Sequence, residues 1–304
     1  MGDTKEFLEY LAKPSTWGSV MPVGDIIPGK KERQQVANDI ISYREATRMK
    51  GSTLPPFIKG DEFPSPWELE KRAPLVDGLF REKDNVLLGA PPKMGKSWFF
   101  ATLGMCLANG THFLGLETKK SKVLLIDLEL HRDDCLDRLW SVAGAQGLGK
   151  VPADLWVWCL REFEYDLDLL ITEMDERIDQ MGGVDVIILD PIYMLGHQDF
   201  DENNASSVKH FLKAIAQLKM KNNSALLLSH HFSKGNKGRE NHSDRISGSG
   251  AFQRWPDSLI TLTPHPVQGC ANLEVTGRSM PRAPGRVVNM TPPGIKMTDL
   301  SVEF

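Results

Sequence analysis

Nine consecutive residues constrain this chain more than any others. Gly89-Ala90-Pro91-Pro92-Lys93-Met94-Gly95-Lys96-Ser97 fits the phosphate-loop pattern G-x-x-x-x-G-K-[ST] at every fixed position. An apolar run, Val86-Leu87-Leu88, precedes the loop, and a helical pattern over 97–108 follows it. Both neighbours are required. Glycines let backbone N–H groups wrap phosphates, and the helix N-terminus adds a favourable dipole. In such a loop Lys96 reaches the β and γ phosphates of ATP, and the Ser97 hydroxyl takes Mg²⁺. Gly89 through Ser97, with Trp98 directly after them, is therefore the expected nucleotide-binding stretch.

A strand, a phosphate loop and a helix ask for more α/β units around them. From Asp84 onward, apolar runs at 123–128, 155–160, 184–189 and 225–228 alternate with helical patterns at 133–142, 167–181 and 206–219. This predicts a mainly parallel sheet covered on both faces. After Ser258 the helical patterns stop, and 259–263, 272–276 and 286–290 predict antiparallel C-terminal strands. Residues 1–73 differ in kind. Short helices are expected at 4–12 and 33–48, followed by Pro55, Pro56, Pro64 and Pro66. The expectation is a small N-terminal arm and linker, with 74–304 as the ATPase domain.

Composition bounds the partners. The formal net charge of the 304 residues is −4, so nucleic-acid binding would need a local basic patch. Cys106, Cys135, Cys159 and Cys270 form no C-x-x-C pair, which argues against zinc and suits a reducing cytoplasm. The sequence shows no signal-peptide run and no apolar stretch near ~20 residues, so a cytoplasmic protein without membrane contact is expected.

Two strands end in acids. Val184-Asp-Val-Ile-Ile-Leu-Asp190 is the Walker B form, in which Asp190 holds Mg²⁺ through water; in isolation it would equally suit a turn-capping Asp. Val123-Leu-Leu-Ile-Asp127-Leu-Glu129 offers either a carboxylate that polarises the attacking water or a surface Glu opening a helix. The pattern leaves both readings open.

The order of these motifs, completed by Ser229-His230-His231-Phe232-Ser233-Lys234, resembles the RepA-type plasmid replicative helicases, which belong with RecA and the hexameric replicative helicases. The resemblance spans roughly 74–286 and consists of short motifs. It implies a RecA-like P-loop NTPase core, a homo-oligomeric, usually hexameric ring, hydrolysis of ATP with Mg²⁺ between subunits, and single-stranded DNA in a channel. It makes Glu129 the catalytic base, and it puts His230 and His231 where the family senses the γ phosphate. Arg138, nine residues after Glu129, has the spacing of an arginine that packs on adenine; the alternative is a solvated helix arginine. Arg254, in Arg254-Trp255 after Gly248-Ser249-Gly250, and Arg278 are matches for arginines acting on a neighbour's nucleotide. The gap before Arg254 is shorter than the family pattern, and either residue could be structural.

The segment after the histidines is polar and locally basic. Lys234, Lys237, Arg239 and Arg245 are expected to hold single-stranded DNA, whereas Asp199, Asp201 and Glu202 make the loop after Asp190 a poor phosphate binder. Three functions fit: a ring helicase of a mobile element, a recombination accessory ATPase, and a regulatory ATPase whose partners are proteins.

Overall fold

Side chains alternate faces along a strand, so consecutive apolar residues are dealt to two layers. A computed structural model, which describes residues 57–195, 204–231, 252, 254–280 and 284–303, shows this throughout. The chain divides into two compact units, Met1–Glu70 and Lys71–Phe304. In the first, the described residues hold one 3-10 turn, Gly60–Glu62. The helices expected at 4–12 and 33–48 lie outside the described residues.

The second unit is built on a nine-stranded sheet. Its strands are β3 (Asn85–Ala90), β4 (Val123–Asp127), β5 (Leu155–Cys159), β6 (Val186–Asp190), β7 (Ala225–His231), β8 (Ser258–Pro264), β9 (Cys270–Gly277), β10 (Arg286–Asn289) and β11 (Lys296–Met297). The order is β11-β10-β9-β8-β3-β7-β6-β4-β5. Strands β5, β4, β6, β7, β3 and β8 run parallel. The pairs β8–β9, β9–β10 and β10–β11 are antiparallel. Among the described residues, α1 (Lys96–Asn109), α2 (Arg132–Ala145), α3 (Leu167–Gln180) and α4 (Ala205–Asn222) connect successive parallel strands from β3 to β7 in chain order.

The alternation sorts the core. Val86, Leu88, Val123, Leu125, Val186, Ile188 and Leu227 pack with α1 and α2. Leu87, Leu124, Ile126, Ile187, Leu189 and Leu228 pack with α3 and α4. Helix α1 is buried along nearly its whole length, from Phe99 to Ala108, so it has no polar stripe. Two polar groups fix the start of β3. The buried Lys219 on α4 donates to the Lys83 carbonyl and to Asn85 Oδ1, both at 2.6 Å. Burial is the main reason its pKa is lowered.

The shortest strands escaped the sequence reading. A hairpin of β1 (Pro74–Val76) and β2 (Phe80–Arg81) precedes β3 and buries Leu75, Val76, Leu79 and Phe80. Strands of two or three residues show too little alternation to register as strands. The two-residue β11 escaped for the same reason.

Phe99 anchors α1 against Phe113, with ring centroids 5.1 Å apart, edge to face. Phe99→Ala should lower unfolding free energy by roughly 3–5 kcal/mol in denaturant titrations. A change below about 1 kcal/mol would show that the α1 layer is not the core it forms here.

Candidate active site

Parallel register aligns the C-terminal ends of four strands. Gly89 pairs with His230 and Ala90 with His231 between β3 and β7, and Asp127 pairs with Asp190 between β4 and β6. Crevices at the carboxyl ends of such strands are where α/β sheets hold ligands.

The loop from Pro91 to Gly95 crosses from β3 to α1. Lys93 and Gly95 both have positive φ, 62° and 89°. Gly95 is the N-cap of α1 and supplies no side-chain cap, and no acid lies in the first turn. The first N–H groups of α1 are therefore free of a capping side chain, and an anion suits them.

Lys96 is 6% exposed, and its Nζ donates to His231 Nδ1 at 2.8 Å. Burial lowers the Lys96 pKa to about 8, against the opposing pull of Asp190 and Glu129. Burial also lowers His231 to about 4, helped by the Lys96 and His230 charges. The His231 ring is thus neutral at physiological pH, which is what lets Nδ1 accept from the ammonium. Asp190 is 4% exposed. Burial raises its pKa, while hydrogen bonds from Ser229 and Ser97 oppose the shift. Asp127, Asp190, Ser229 and His231 fall on the α1 side of their strands by the same alternation that places Leu125, Ile188 and Leu227 there.

The two histidines part company here. His231 meets Lys96, whereas His230 turns to the α4 layer, its ring 4.7 Å from that of Phe252. The two acids of β4 also divide. Asp127 is buried, and its Oδ1 accepts from the N–H groups of Glu129 and Leu130 at 2.9 and 2.7 Å. This turn presents Glu129 to solvent, close enough for its charge to act on Lys96. Arg161 donates to the Glu129 carbonyl at 2.6 Å. Asp127 and Ser229 carry structure that the sequence reading did not assign; an acid two residues before Glu129 was the available signal.

Arg138 stacks over the Trp98 ring, its Cζ 4.7 Å from the centroid. Trp98 on α1 and Arg138 on α2 are thus joined beside the phosphate loop. Arg254 and Arg278 lie elsewhere. Arg278 donates to the Arg254 carbonyl at 2.6 Å and approaches Asp257, whose Oδ2 accepts from the N–H of Asn85. That is where β3 begins, about 16 Å of strand from the phosphate loop where β3 ends. Both arginines therefore sit toward the end of β3 opposite their own chain's phosphate loop. Lys234, Lys237, Arg239 and Arg245, the acids Asp199, Asp201 and Glu202, and Gly248 to Gly250 lie outside the described residues. A cavity of about 340 Å³ lined by Trp158, Phe163, Tyr165, Leu169 and Arg177 opens on the α3 side, the layer opposite α1 and the loop.

A family model described as an AAA domain matches residues 59–237. The crystal structure of the RadB recombinase superposes with a TM-score of 0.52 at 15% identity, over 72% of this chain and 92% of that one. A KaiC-like protein from the hyperthermophilic archaeon Pyrococcus horikoshii OT3 gives 0.47 at 14% identity, over 74% of this chain and 93% of that one. No curated protein matches the chain significantly. The fold is the RecA-like P-loop type. Among the described residues no helix is long and apolar enough to cross a membrane.

The Lys96–His231 contact is open to direct measurement. His231 should titrate near 4 in nitrogen-edited NMR of the imidazoles. Lys96→Met removes a nearby positive charge and should raise that value, while burial keeps it below the ordinary 6.5. An unmoved titration would mean that the two side chains do not interact.

Proposed function

The chain belongs to the AAA domain family, and on that premise we propose that it is an ATP-hydrolysing, ring-forming motor that acts on single-stranded DNA, a replicative helicase of the RepA type. One observation carries the catalytic part: a buried lysine, a buried strand-end acid, an exposed glutamate and an uncapped helix N-terminus converge at one end of the sheet.

The residues fit a magnesium nucleotide. Ser97 and Asp190 are hard oxygen donors already in contact, and Asp190 is a buried carboxylate that a cation would stabilise. Mg²⁺ would be held by these two residues and would neutralise charge on the β and γ oxygens. The chain's own groups do the rest. The N–H groups of the loop and of α1 bind phosphate oxygens, and the Lys96 ammonium supplies the counter-charge. Glu129 takes a proton from the attacking water. His231, already on Lys96, exchanges that contact for the γ phosphate and so senses its presence. Arg138, backed by Trp98, offers a flat cation to the base. Arg254 and Arg278, at the opposite end of β3 from their own loop, serve the nucleotide of an adjoining copy.

The DNA part rests on position. Strand β7 ends at His231, and the basic segment with Lys234, Lys237, Arg239 and Arg245 follows directly. A strand bound there pulls on the residue that touches Lys96, which couples DNA to turnover.

Lys96→Ala should abolish nucleotide binding or turnover, and Glu129→Gln should keep ATP binding while losing about a hundredfold in kcat. Near-parental turnover in Glu129→Gln would remove that residue from its role. Alanine variants of Arg254 or Arg278 should still bind nucleotide, and mixing either with Lys96→Ala subunits should restore some activity, since one interface then holds two intact halves. Co-assembled mixtures without recovery would make both arginines structural.

Replacing Lys234, Lys237 and Arg239 with alanine should weaken single-stranded DNA binding and reduce its log–log salt slope by roughly 0.7 per lost contact. Basal ATPase should persist, while DNA stimulation falls. A parent that hydrolyses ATP, binds DNA and displaces no strand would favour the recombination reading. A parent that hydrolyses ATP and ignores DNA would favour the protein-regulatory one.

A further inference from the structure

The phosphate loop is weakly held by its own backbone. Two of its residues sit at positive φ, and the hydrogen bond spanning it, from the Met94 N–H to the Pro91 carbonyl, is 3.4 Å long. Lys93 is not glycine, so its φ of 62° costs energy that something outside the loop must offset.

The support comes from the far side of the sheet. Strand β8 is parallel to β3, β9 is antiparallel to β8, and β10 is antiparallel to β9, so β10 ends at the same edge as β3. Three strand spacings of about 4.8 Å separate β10 from β3, and sheet twist with a long side chain closes the gap. The residue after β10 is Met290, which is 8% exposed. A Cβ placed on Gly95 would lie 3.1 Å from Met290 Cε and 4.0 Å from its Cβ. A side chain at position 95 would thus press on the Met290 methyl group.

Met290 is itself well fixed. Its N–H donates to the Gly269 carbonyl at 2.7 Å, and Asn289 Oδ1 accepts from the Thr291 N–H at 2.8 Å. A Cβ on Gly294 would come within 3.3 Å of Ala145 Cβ, at the end of α2. The turn from Met290 to Ile295 therefore wedges between the phosphate loop and the helix that carries Arg138. Met94 and Trp98 pack on the same cluster as Met290 and Ile295.

We infer that Met290 is a positioning residue for the nucleotide: its side chain braces the left-handed Gly95 and holds the loop's N–H groups in their binding curvature. The antiparallel extension is then part of the ATP site although it carries none of the groups expected to touch nucleotide or metal there. Methionine suits the task, being long and soft enough to follow the loop when phosphate enters.

This inference rests on the nucleotide reading of the loop, and the experiment separates the two. Steady-state ATPase of the full chain with Mg²⁺ is compared for the parent, Met290→Ala, Met290→Leu and Val288→Ala. Val288 is fully buried in the same cluster on β10 and controls for general loosening. Met290→Ala should raise KM for ATP about tenfold with kcat within about twofold, the pattern of lost ground-state binding. Met290→Leu should restore KM. Val288→Ala should lower the thermal midpoint as much as Met290→Ala while KM stays parental. If Met290→Ala does not fold, Met290→Val trims less and carries the same comparison. A parental KM in the Met290 variants, or an equal rise in Val288→Ala, overturns the inference and leaves the nucleotide reading standing. A parent chain that neither binds nor hydrolyses ATP refutes that reading, and this inference with it.

Discussion

Parallel register is the constraint on which the site depends, and its origin is not the usual one. In a sheet with one wet face, a one-residue slip exposes the core and is forbidden on those grounds. Here both faces are apolar: Val186 and Ile188 face one layer, Ile187 and Leu189 the other. A slip would trade apolar residues for apolar residues. The polar ends discriminate. Ser229 must meet Asp190, and Lys219 must meet Asn85, because a buried carboxylate or ammonium left without its partner costs far more than a misfitted methyl group. The groups that set the register at the C-terminal ends are thus members of the candidate site, and folding and site assembly are one event there.

The sequence disclosed the strand order of events better than their spatial outcome. Long apolar runs such as 184–190 and the helical patterns after them are local signals, and each strand from β3 to β7 and each helix between them was found within a few residues of its expected place. The phosphate loop was legible because its chemistry demands fixed residues at fixed spacing. The hairpin at 74–81 was not, since two- and three-residue strands leave no period to read. Nor could the sequence divide His230 from His231. Adjacent residues on a strand point oppositely, but which one faces α1 depends on where the layers lie. Met290 was illegible for a different reason. Its contact with Gly95 spans nearly two hundred residues and three strand spacings, and nothing local to either residue announces it.

In the role proposed for Arg138, its contact with Trp98 would let a helix pair prepare a recognition surface. An isolated arginine samples many rotamers, and ordering it on binding costs affinity. Stacked on an indole, the planar guanidinium is already partly ordered. The opposite end of the sheet follows a different logic. Arg278 is tied to the Arg254 carbonyl and to Asp257, so its reach outward is set by the start of β8, not by the loop that holds phosphate.

Burying Lys96 alters its reactivity as well as its charge. Burial draws the Lys96 pKa below the ordinary lysine range, to about 8, so more of this side chain is free amine near neutral pH than of a solvated lysine. The free amine has a lone pair and attacks electrophilic carbon. This position is therefore a better nucleophile than a solvated lysine, but guarded by access, since the side chain is 6% exposed. A small acylating or carbamoylating reagent that enters the crevice would meet a more reactive amine there than on the surface. The same desolvation that would sharpen its attraction for phosphate makes the loop's one lysine side chain at the helix start chemically vulnerable.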